Sequence, residues 1–212
     1  MLAAKRRFEE LDARLSHYKP DSEINQLKPG VTSRVSPDLF SILQFAQRLS
    51  LLSGGAFDVT VRGNPVGYQN IALGRQTVTL LKEGTLLDLG GIAKGYANDQ
   101  ASGVLAASGF KRHLIAASGD VLARGKPGWT VGCQQTERGR VNRAVSTSGN
   151  TYQPGHILDP RSGQRVMNAE TVSVLARDSM TADALATACL ILKGAERTAL
   201  IAAYAGAEVV SA

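Results

Sequence analysis

The chain has 212 residues, of which 43% are apolar and 20% charged, and its formal net charge is +6. This composition excludes a wholly disordered chain, and the length fits a single domain with a sizeable core. Basic residues cluster only at 5–7 and no nucleic-acid-binding motif occurs, so we expect no nucleic-acid partner. The charge fits a phosphate-bearing small molecule or a merely solvated basic surface. Two isolated cysteines argue against zinc and iron–sulfur sites, and no apolar run reaches the ~18 residues that span a bilayer.

The first half of the chain predicts three helices and a few short strands. Helices follow from apolar residues that recur on one face, and strands from apolar residues that alternate with polar ones. Ser36 and Pro37 are a typical helix start, and Gly54 with Gly55 is a typical stop. In chain order, the predictions are helix 5–18, helix 37–52, strand 57–61, a hairpin of 77–81 with 85–89, and helix 92–108.

The second half predicts short strands followed by two helices. These segments are strands 113–117, 121–124, 129–133, 144–146 and 171–176, helices 181–192 and 195–204, and strand 207–210. Strands and helices alternate unevenly, and hairpins join neighbouring strands. This order favours an α+β fold with mixed or antiparallel sheets and packed helices over a doubly wound parallel sheet.

A strand-to-helix junction at 87–96 carries a pattern typical of anion binding. Gly90 and Gly91 precede the predicted helix, and Lys94 falls in its first turn. Free N–H groups at a helix N-terminus attract anions, and glycines let a phosphate approach the backbone. The spacing matches neither the dinucleotide-binding nor the P-loop pattern. From these residues alone, a phosphate site and a glycine-rich turn with a surface lysine are equally open.

Asp183 and Thr187 lie four residues apart in a predicted helix and therefore share one face. A carboxylate and a hydroxyl supply two hard oxygen ligands of the kind that Mg²⁺ accepts. The alternative is an acidic residue near a helix N-terminus, stabilised by the helix dipole, with a threonine that bonds back to its own helix. The spacing alone favours this second interpretation.

His156 is the candidate for proton transfer, because imidazole titrates near neutral pH. A structural role for a lone histidine before the predicted turn at 159–163 is the alternative. The nucleophile-elbow pattern Gly-x-Ser-x-Gly is absent, so no Ser-His-Asp set is predicted.

Six motifs occur in the order found in the FAD:protein FMN transferases, the ApbE family, which the chain resembles over most of its length. Leu-Ser-His-Tyr at 15–18, followed by Asp-Ser-Glu-Ile at 21–24, also looks like that family's N-terminal motif. The resemblance implies an ApbE-like (T-fold-like) single domain over 1–212. The six motifs are Gly-Ala-Phe-Asp at 55–58, Asp-Leu-Gly-Gly-Ile-Ala-Lys-Gly at 88–95, Ser-Gly-Asp at 118–120, Ser-Thr-Ser-Gly at 146–149, His-Ile-Leu-Asp-Pro at 156–160 and Ala-Asp-Ala-Leu-Ala-Thr-Ala at 182–188.

The resemblance implies a Mg²⁺-dependent transfer of FMN from FAD to a threonine hydroxyl of an acceptor flavoprotein, with release of AMP. It implies that Asp183, Thr187 and the Gly91 carbonyl hold Mg²⁺, and that His156 and Asp183 are catalytic. The residues that it implies for FAD binding are Tyr18, Ala56, Phe57, Asp58, Asp88, Lys94 and Ile157.

Several features depart from the family pattern. Family members carry an earlier segment with a Met-Gly-Thr strand, often behind a lipoprotein signal, so we expect that the family's N-terminal segment is missing here. Lys28 stands where asparagine is common, Ser118 stands where the motif usually has glycine, and the segment 61–88 is short.

The resemblance also implies a location in the periplasm or cell envelope, whereas the lack of a signal peptide in the chain leaves the cytoplasm as the alternative. Two other functions remain open at this point. One is a Mg²⁺-dependent FAD pyrophosphatase that gives FMN and AMP, because water can replace the acceptor hydroxyl. The other is a non-catalytic FAD-binding protein.

Overall fold

The computed structural model describes residues 2–117, 119–133, 136–150, 155–167 and 170–211. Within them, helices pack on antiparallel sheets in an α+β arrangement, which confirms the predicted fold class. The helices are α1 (Leu2–Leu15), α2 (Pro37–Leu52), α3 (Ala93–Ala107), α4 (Ser179–Ile191) and α5 (Gly194–Ala202). The strands are β1 (Ser33–Arg34), β2 (Ile71–Leu73), β3 (Thr77–Leu80), β4 (His113–Ala117), β5 (Asp120–Arg124), β6 (Trp129–Cys133), β7 (Thr136–Val141), β8 (Ala144–Gly149), β9 (Thr171–Ala176) and β10 (Glu208–Ser211).

The main sheet has the strand order β10-β9-β8-β5-β4, and every neighbouring pair is antiparallel. Helix α4 packs on β8 and β9 and also against α3, which in turn packs on α1. Alternating residues of β9, such as Val172 and Val174, are fully buried in the same core as Leu185 of α4. The inner face of α4 therefore lies between the sheet and α3. A smaller sheet (β1-β3-β2) and a ribbon (β6-β7) complete the described strands.

Two carboxylates hold the start of α4. Asp178 is the N-cap, and its side chain accepts the N–H of Thr181 at 2.8 Å. Asp99, which reaches across from α3, accepts the N–H groups of Ser179 and Met180 at 2.9 and 2.8 Å. Burial raises the pKa of Asp99 to about 6, even though these two N–H groups favour its charged form. The contact fixes α3 against the N-terminus of α4, which matters for the site described below.

The strand predicted at 57–61 is wrong, because this segment forms turns. Asp58 Oδ1 accepts both the N–H and the hydroxyl of Thr60 at 2.7 Å, and Oδ2 accepts the N–H of Tyr68 at 2.7 Å. These bonds draw the backbone into a loop instead of a ladder. Residues 57–60 are all buried, so the alternation separates apolar core side chains (Phe57 and Val59) from polar ones whose hydrogen bonds are made within the loop.

The hairpin predicted from 77–81 and 85–89 is also wrong. Strand β3 pairs with β1 and β2, while 85–89 has no strand partner and is tied by the Asp88 N–H to the Val59 carbonyl at 2.7 Å. Leu87 and Leu89 are buried, and this burial produces the strand-like pattern without any ladder.

The predicted helix at 5–18 ends earlier, at Leu15, so Tyr18 lies beyond α1 and is 83% exposed. Strand β7 was not predicted. Among the described residues, no helix has the length and apolar character needed to cross a membrane. Cys189 is buried in the core, as expected, and burial raises the pKa of its thiol to about 11.

Candidate active site

The turn that leads into α3 is built around its glycines. The Gly90 N–H donates to Asp88 Oδ1 at 2.8 Å, and the Gly90 carbonyl accepts from Lys94 Nζ at 2.7 Å. A side chain at Gly91 would place its Cβ 3.0 Å from Thr187 Oγ1, so the backbone passes directly over that threonine. The junction thus brings the start of α3 onto the face of α4 that carries Thr187.

Asp183 lies on the same face of α4, one turn before Thr187. Its Oδ2 accepts the Gly95 N–H at 3.0 Å, and Lys94 Nζ lies 3.3 Å from its Oδ1. The residue is only 3% exposed. Because α4 begins at Ser179, Asp183 is in the second turn and the N-cap position belongs to Asp178. The helix-dipole interpretation of this carboxylate therefore does not match its position.

Gly95 allows the two helices to approach closely at this point. A Cβ on Gly95 would lie 2.2 Å from the Ser179 carbonyl oxygen and 2.8 Å from the Asp183 Cβ. Any side chain would separate α3 from α4 and would remove the backbone N–H from the Asp183 carboxylate. The glycine is thus needed for this contact.

The main sheet adds a second buried carboxylate and two hydroxyls. Asp120, the first residue of β5, is 2% exposed and lies with its Oδ2 4.0 Å from Lys94 Nζ. Its Oδ1 accepts a short hydrogen bond from the Ser146 hydroxyl on β8. Two residues further along β8, on the same face, the Ser148 hydroxyl lies 3.1 Å from Thr187 Oγ1. Alternate residues of one strand therefore support both the carboxylate and the threonine.

Lys94, Asp120 and Asp183 form a coupled charge cluster. Burial, followed by the negative charge of Asp183, raises the pKa of Asp120 to about 7. Burial opposes the charged form of Lys94, but the nearby Asp183, Asp120 and Asp88 outweigh it and raise its pKa. Lys94 is therefore an ammonium ion at neutral pH, and it lies between the Asp183 and Asp120 side chains.

Asp88 and Tyr18 are connected at the rim of this cluster through His17. His17 Nδ1 lies 3.3 Å from Asp88 Oδ1, and the rings of His17 and Tyr18 are 3.9 Å apart between centroids. Asp88 in turn accepts the Gly90 N–H at the α3 junction. The sequence singled out Tyr18 and Asp88 and did not predict the histidine that joins them.

Ala56, Phe57 and Asp58 lie further inside. Ala56 and Phe57 are buried, and the Asp58 carboxylate is taken up by the hydrogen bonds of its own loop. Phe57 approaches the cluster most closely, because its ring atom Cε2 would lie 3.4 Å from a Cβ on Gly91. Among these three predicted residues, Phe57 thus contacts the α3 junction directly.

His156 and Ile157 lie in the segment 155–167. The His156 side chain is exposed, whereas Ile157 is half-buried against the main core. The Ile157 carbonyl accepts the Val166 N–H at 2.8 Å, and Asn150 Nδ2 donates to the Val166 carbonyl at 2.6 Å. The segment is therefore fastened to the end of β8, the strand that supplies Ser146 and Ser148.

The sequence profile of the ApbE family matches residues 2–64 and 62–211. This chain belongs to the ApbE family. The FAD:protein FMN transferase of Vibrio cholerae is 27% identical over 93% of this chain and 74% of its own. The one from Haemophilus influenzae is 26% identical, covering 87% and 70%. The apo Pseudomonas stutzeri flavinyl transferase ApbE superposes with a TM-score of 0.85 at 25% identity, covering 99% of this chain and 84% of that one.

The oxygen atoms of this ApbE-family site fit a hard cation. They comprise the Asp183 carboxylate, the Thr187 hydroxyl, next to which the Gly91 backbone passes, and, beside them, a buried Asp120 oxygen. Carboxylate and hydroxyl oxygens are hard donors of the kind that Mg²⁺ uses. Within the described ranges, no group of three or more His, Cys, Asp and Glu side chains has metal-ligand spacing.

Asp120, Ser146 and Ser148 were not predicted as site residues. The motifs at 118–120 and 146–149 carry the family resemblance, but no site role was predicted for their residues. Ser118 lies outside the described residues. The signal that was available is the alternation of Ser146 and Ser148 on a strand, which places both hydroxyls on one face. What they face depends on the pairing of β5 with β8.

Proposed function

We propose that the chain is a flavin transferase that moves FMN from FAD to a threonine hydroxyl of an acceptor flavoprotein and releases AMP, with Mg²⁺ as its cofactor. Membership of the ApbE family and the names of its curated relatives support FAD as donor and a protein as acceptor. One observation carries the proposal: Asp183 and Thr187 of α4 both contact the glycine-rich start of α3.

The α3 junction suits the pyrophosphate of FAD. It lies at the N-terminus of α3, where the helix dipole favours an anion, and Lys94 adds a full positive charge there. Asp88 and Tyr18 at the rim, with Phe57 below, would contact the rest of the dinucleotide. Ala56, Asp58 and Ile157 stay predicted FAD-site residues on the basis of the family resemblance.

Asp183, Thr187 and the Gly91 carbonyl would hold Mg²⁺. When bound, the ion supplies positive charge that offsets the negative charge developing on the pyrophosphate. Ser148 orients the Thr187 hydroxyl at 3.1 Å, and Gly95 orients the Asp183 carboxylate at 3.0 Å. These two contacts hold the oxygen ligands in place before any ligand arrives, so little ordering is needed on binding.

The transfer step forms one bond and breaks one bond. The acceptor threonine oxygen attacks the phosphorus atom of the FMN half of FAD, and the pyrophosphate P–O bond to the AMP half breaks. AMP leaves with the bonding electron pair, and the hydroxyl proton passes to a base. We assign this base to His156 on the basis of the family resemblance, and its exposed side chain is compatible with that role.

The proposal is tested by incubating the chain with FAD, Mg²⁺ and an acceptor protein that carries the target threonine. We expect an acceptor band with covalent flavin fluorescence and one AMP per flavin attached. An acceptor in which the threonine is replaced by valine is the matched control and should remain unlabelled. AMP with free FMN in equal amounts would replace the proposal by FAD hydrolysis, and intact bound FAD would replace it by simple binding.

A further inference from the structure

The cation site of this protein already contains a cation of its own. Lys94 Nζ lies 3.3 and 3.4 Å from the two oxygens of Asp183 and 2.7 Å from the Gly90 carbonyl. Asp183 is also the one charged residue among the proposed Mg²⁺ ligands. The same carboxylate therefore serves two positive groups, the ammonium in this structure and the divalent ion in the proposed reaction.

Electrostatics explains why an ammonium is needed here. Asp183 and Asp120 are 3% and 2% exposed, and two buried carboxylates repel each other unless a positive group lies between them. Lys94 is within 4.0 Å of both. A divalent ion on Asp183 supplies the same compensation, but it would also repel an ammonium held on that carboxylate. The two cations therefore compete for Asp183.

We propose that Lys94 is an internal counterion, which neutralises the site while no metal is bound. When a divalent cation binds to Asp183, the Lys94 ammonium moves from the Asp183 carboxylate to the Asp120 carboxylate. This inference rests on the proposed function only in taking Asp183 as a metal ligand.

Two features of the structure make this exchange possible. Asp120 Oδ2 is buried and, among the described residues, lacks a hydrogen-bond partner, although it faces Lys94 at 4.0 Å. A lysine ammonium can reorient on its flexible four-carbon stem, and the Lys94 side chain is 40% exposed, so it has room to move. A small displacement toward Asp120 would give the ammonium a new acceptor and would satisfy the unpaired oxygen.

The test measures metal binding without FAD or acceptor, so failure of flavin transfer does not affect it. Mg²⁺ is titrated by calorimetry into the parent chain, Lys94→Met and the charge-preserving control Lys94→Arg. We expect Lys94→Met to bind Mg²⁺ about tenfold or more tightly, because a competing and repelling unit charge about 4 Å away is gone. Lys94→Arg should stay within about threefold of the parent, since the competing charge remains.

A second readout is thermal unfolding. In EDTA, Lys94→Met should have a lower melting temperature than the parent, because two buried carboxylates lose their counterion. Saturating Mg²⁺ should raise the melting temperature of Lys94→Met by more than it raises that of the parent. Equal or weaker Mg²⁺ binding by Lys94→Met would overturn the proposal. Should that variant fail to fold, Lys94→Gln, which can still donate to Gly90, is subject to the same criterion.

Asp120→Asn tests where the ammonium goes. If Asp120 receives Lys94, Asp120→Asn weakens Mg²⁺ binding strongly in the parent and much less in the Lys94→Met background, so the two effects are non-additive. An equal loss in both backgrounds would show that Asp120 acts on the ion directly and would refute the transfer of Lys94 to it.

Discussion

Asp183→Asn is the most informative single substitution, because it preserves shape and removes one charge. In the native protein the carboxylate accepts the Gly95 N–H at 3.0 Å and is contacted by Lys94 at 3.3 Å. An asparagine oxygen can keep the bond to Gly95, so the close contact of α3 with α4 should survive. What disappears is the charged partner of Lys94 and the only charge among the proposed Mg²⁺ ligands.

The cost in stability can be set from these contacts. A hydrogen bond to a charged group contributes about 1.5–3 kcal/mol, and Lys94 retains the Gly90 carbonyl and the neighbouring Asp120. We therefore expect a loss of about 1–2 kcal/mol, which in a chain of this length lowers the melting temperature by roughly 2–8 °C. The loss of Mg²⁺-dependent AMP release should be complete.

The assay combines AMP release with thermal unfolding in the presence and absence of Mg²⁺. A hundredfold excess of Mg²⁺ over its Kd stabilises a binding-competent protein by about 2.7 kcal/mol. The parent should show this shift and Asp183→Asn should not. Asp178→Asn is the matched control, because it removes a charge from the start of the same helix and asparagine still caps well.

A stable Asp183→Asn protein that keeps both the Mg²⁺ shift and the parental rate of AMP release would refute the reasoning. It would show that the carboxylate serves only the contact between α3 and α4. The reasoning would also fail if Asp178→Asn lost activity as severely, since the effect would then be one of helix charge and not of metal binding.

The other predictions concern proton transfer, packing and pH. His156→Ala should keep Mg²⁺ and FAD binding but slow flavin transfer by about 10²–10⁴-fold, and a rate equal to the parent's across pH 6–9 would make this residue structural. Gly95→Ala should unfold or severely destabilise the protein, because its Cβ would lie 2.2 Å from the Ser179 carbonyl oxygen. The control Gly103→Ala, in the same helix, has open space around its Cβ and should raise the free energy of unfolding in urea by up to about 1 kcal/mol. Asp99 has a folded pKa of about 6, above its ordinary 3.8, so the stability it contributes is greatest below pH 4 and falls as pH rises toward 6. Asp99→Asn should abolish this decline. The free energy of unfolding that the variant lacks relative to the parent should therefore shrink by up to about 3 kcal/mol between pH 4 and 7. A stability difference that does not change with pH would contradict the assignment.

Local signals in the sequence were enough to predict most helices. Ser36 caps α2 by accepting the Leu39 N–H at 3.2 Å, Pro37 is its first residue, and the helix ends at Leu52 as predicted. Strand β9 also has its predicted bounds, 171–176. In each case the capping, the proline geometry or the run of β-branched residues acts within a few residues of the chain.

Strand pairing could not be predicted in the same way. Residues 85–89 have an alternating pattern, but alternation records only which side chains are buried, and Leu87 and Leu89 are buried without a ladder. The actual partners of β3 are the preceding strand β2 and the distant strand β1, where Ser33 pairs with Val78. The pairing with β1 joins residues far apart in the chain and is set by tertiary packing. A β-ladder requires a second strand, and the sequence of one strand does not determine which other strand pairs with it.

In the candidate site, too, some features follow from the local sequence and others only from tertiary packing. The spacing of Asp183 and Thr187 was enough to place both on one face of a helix, because the helical period is local. That this face meets Gly95 and Lys94, and that a buried Asp120 faces Lys94 from the sheet, was decided by the packing of α4 between α3 and the main sheet. The sequence alone therefore determined which oxygens share a helix face. Tertiary structure determined which charges surround them, because a charge cluster depends on distances of a few ångströms between residues far apart in the chain.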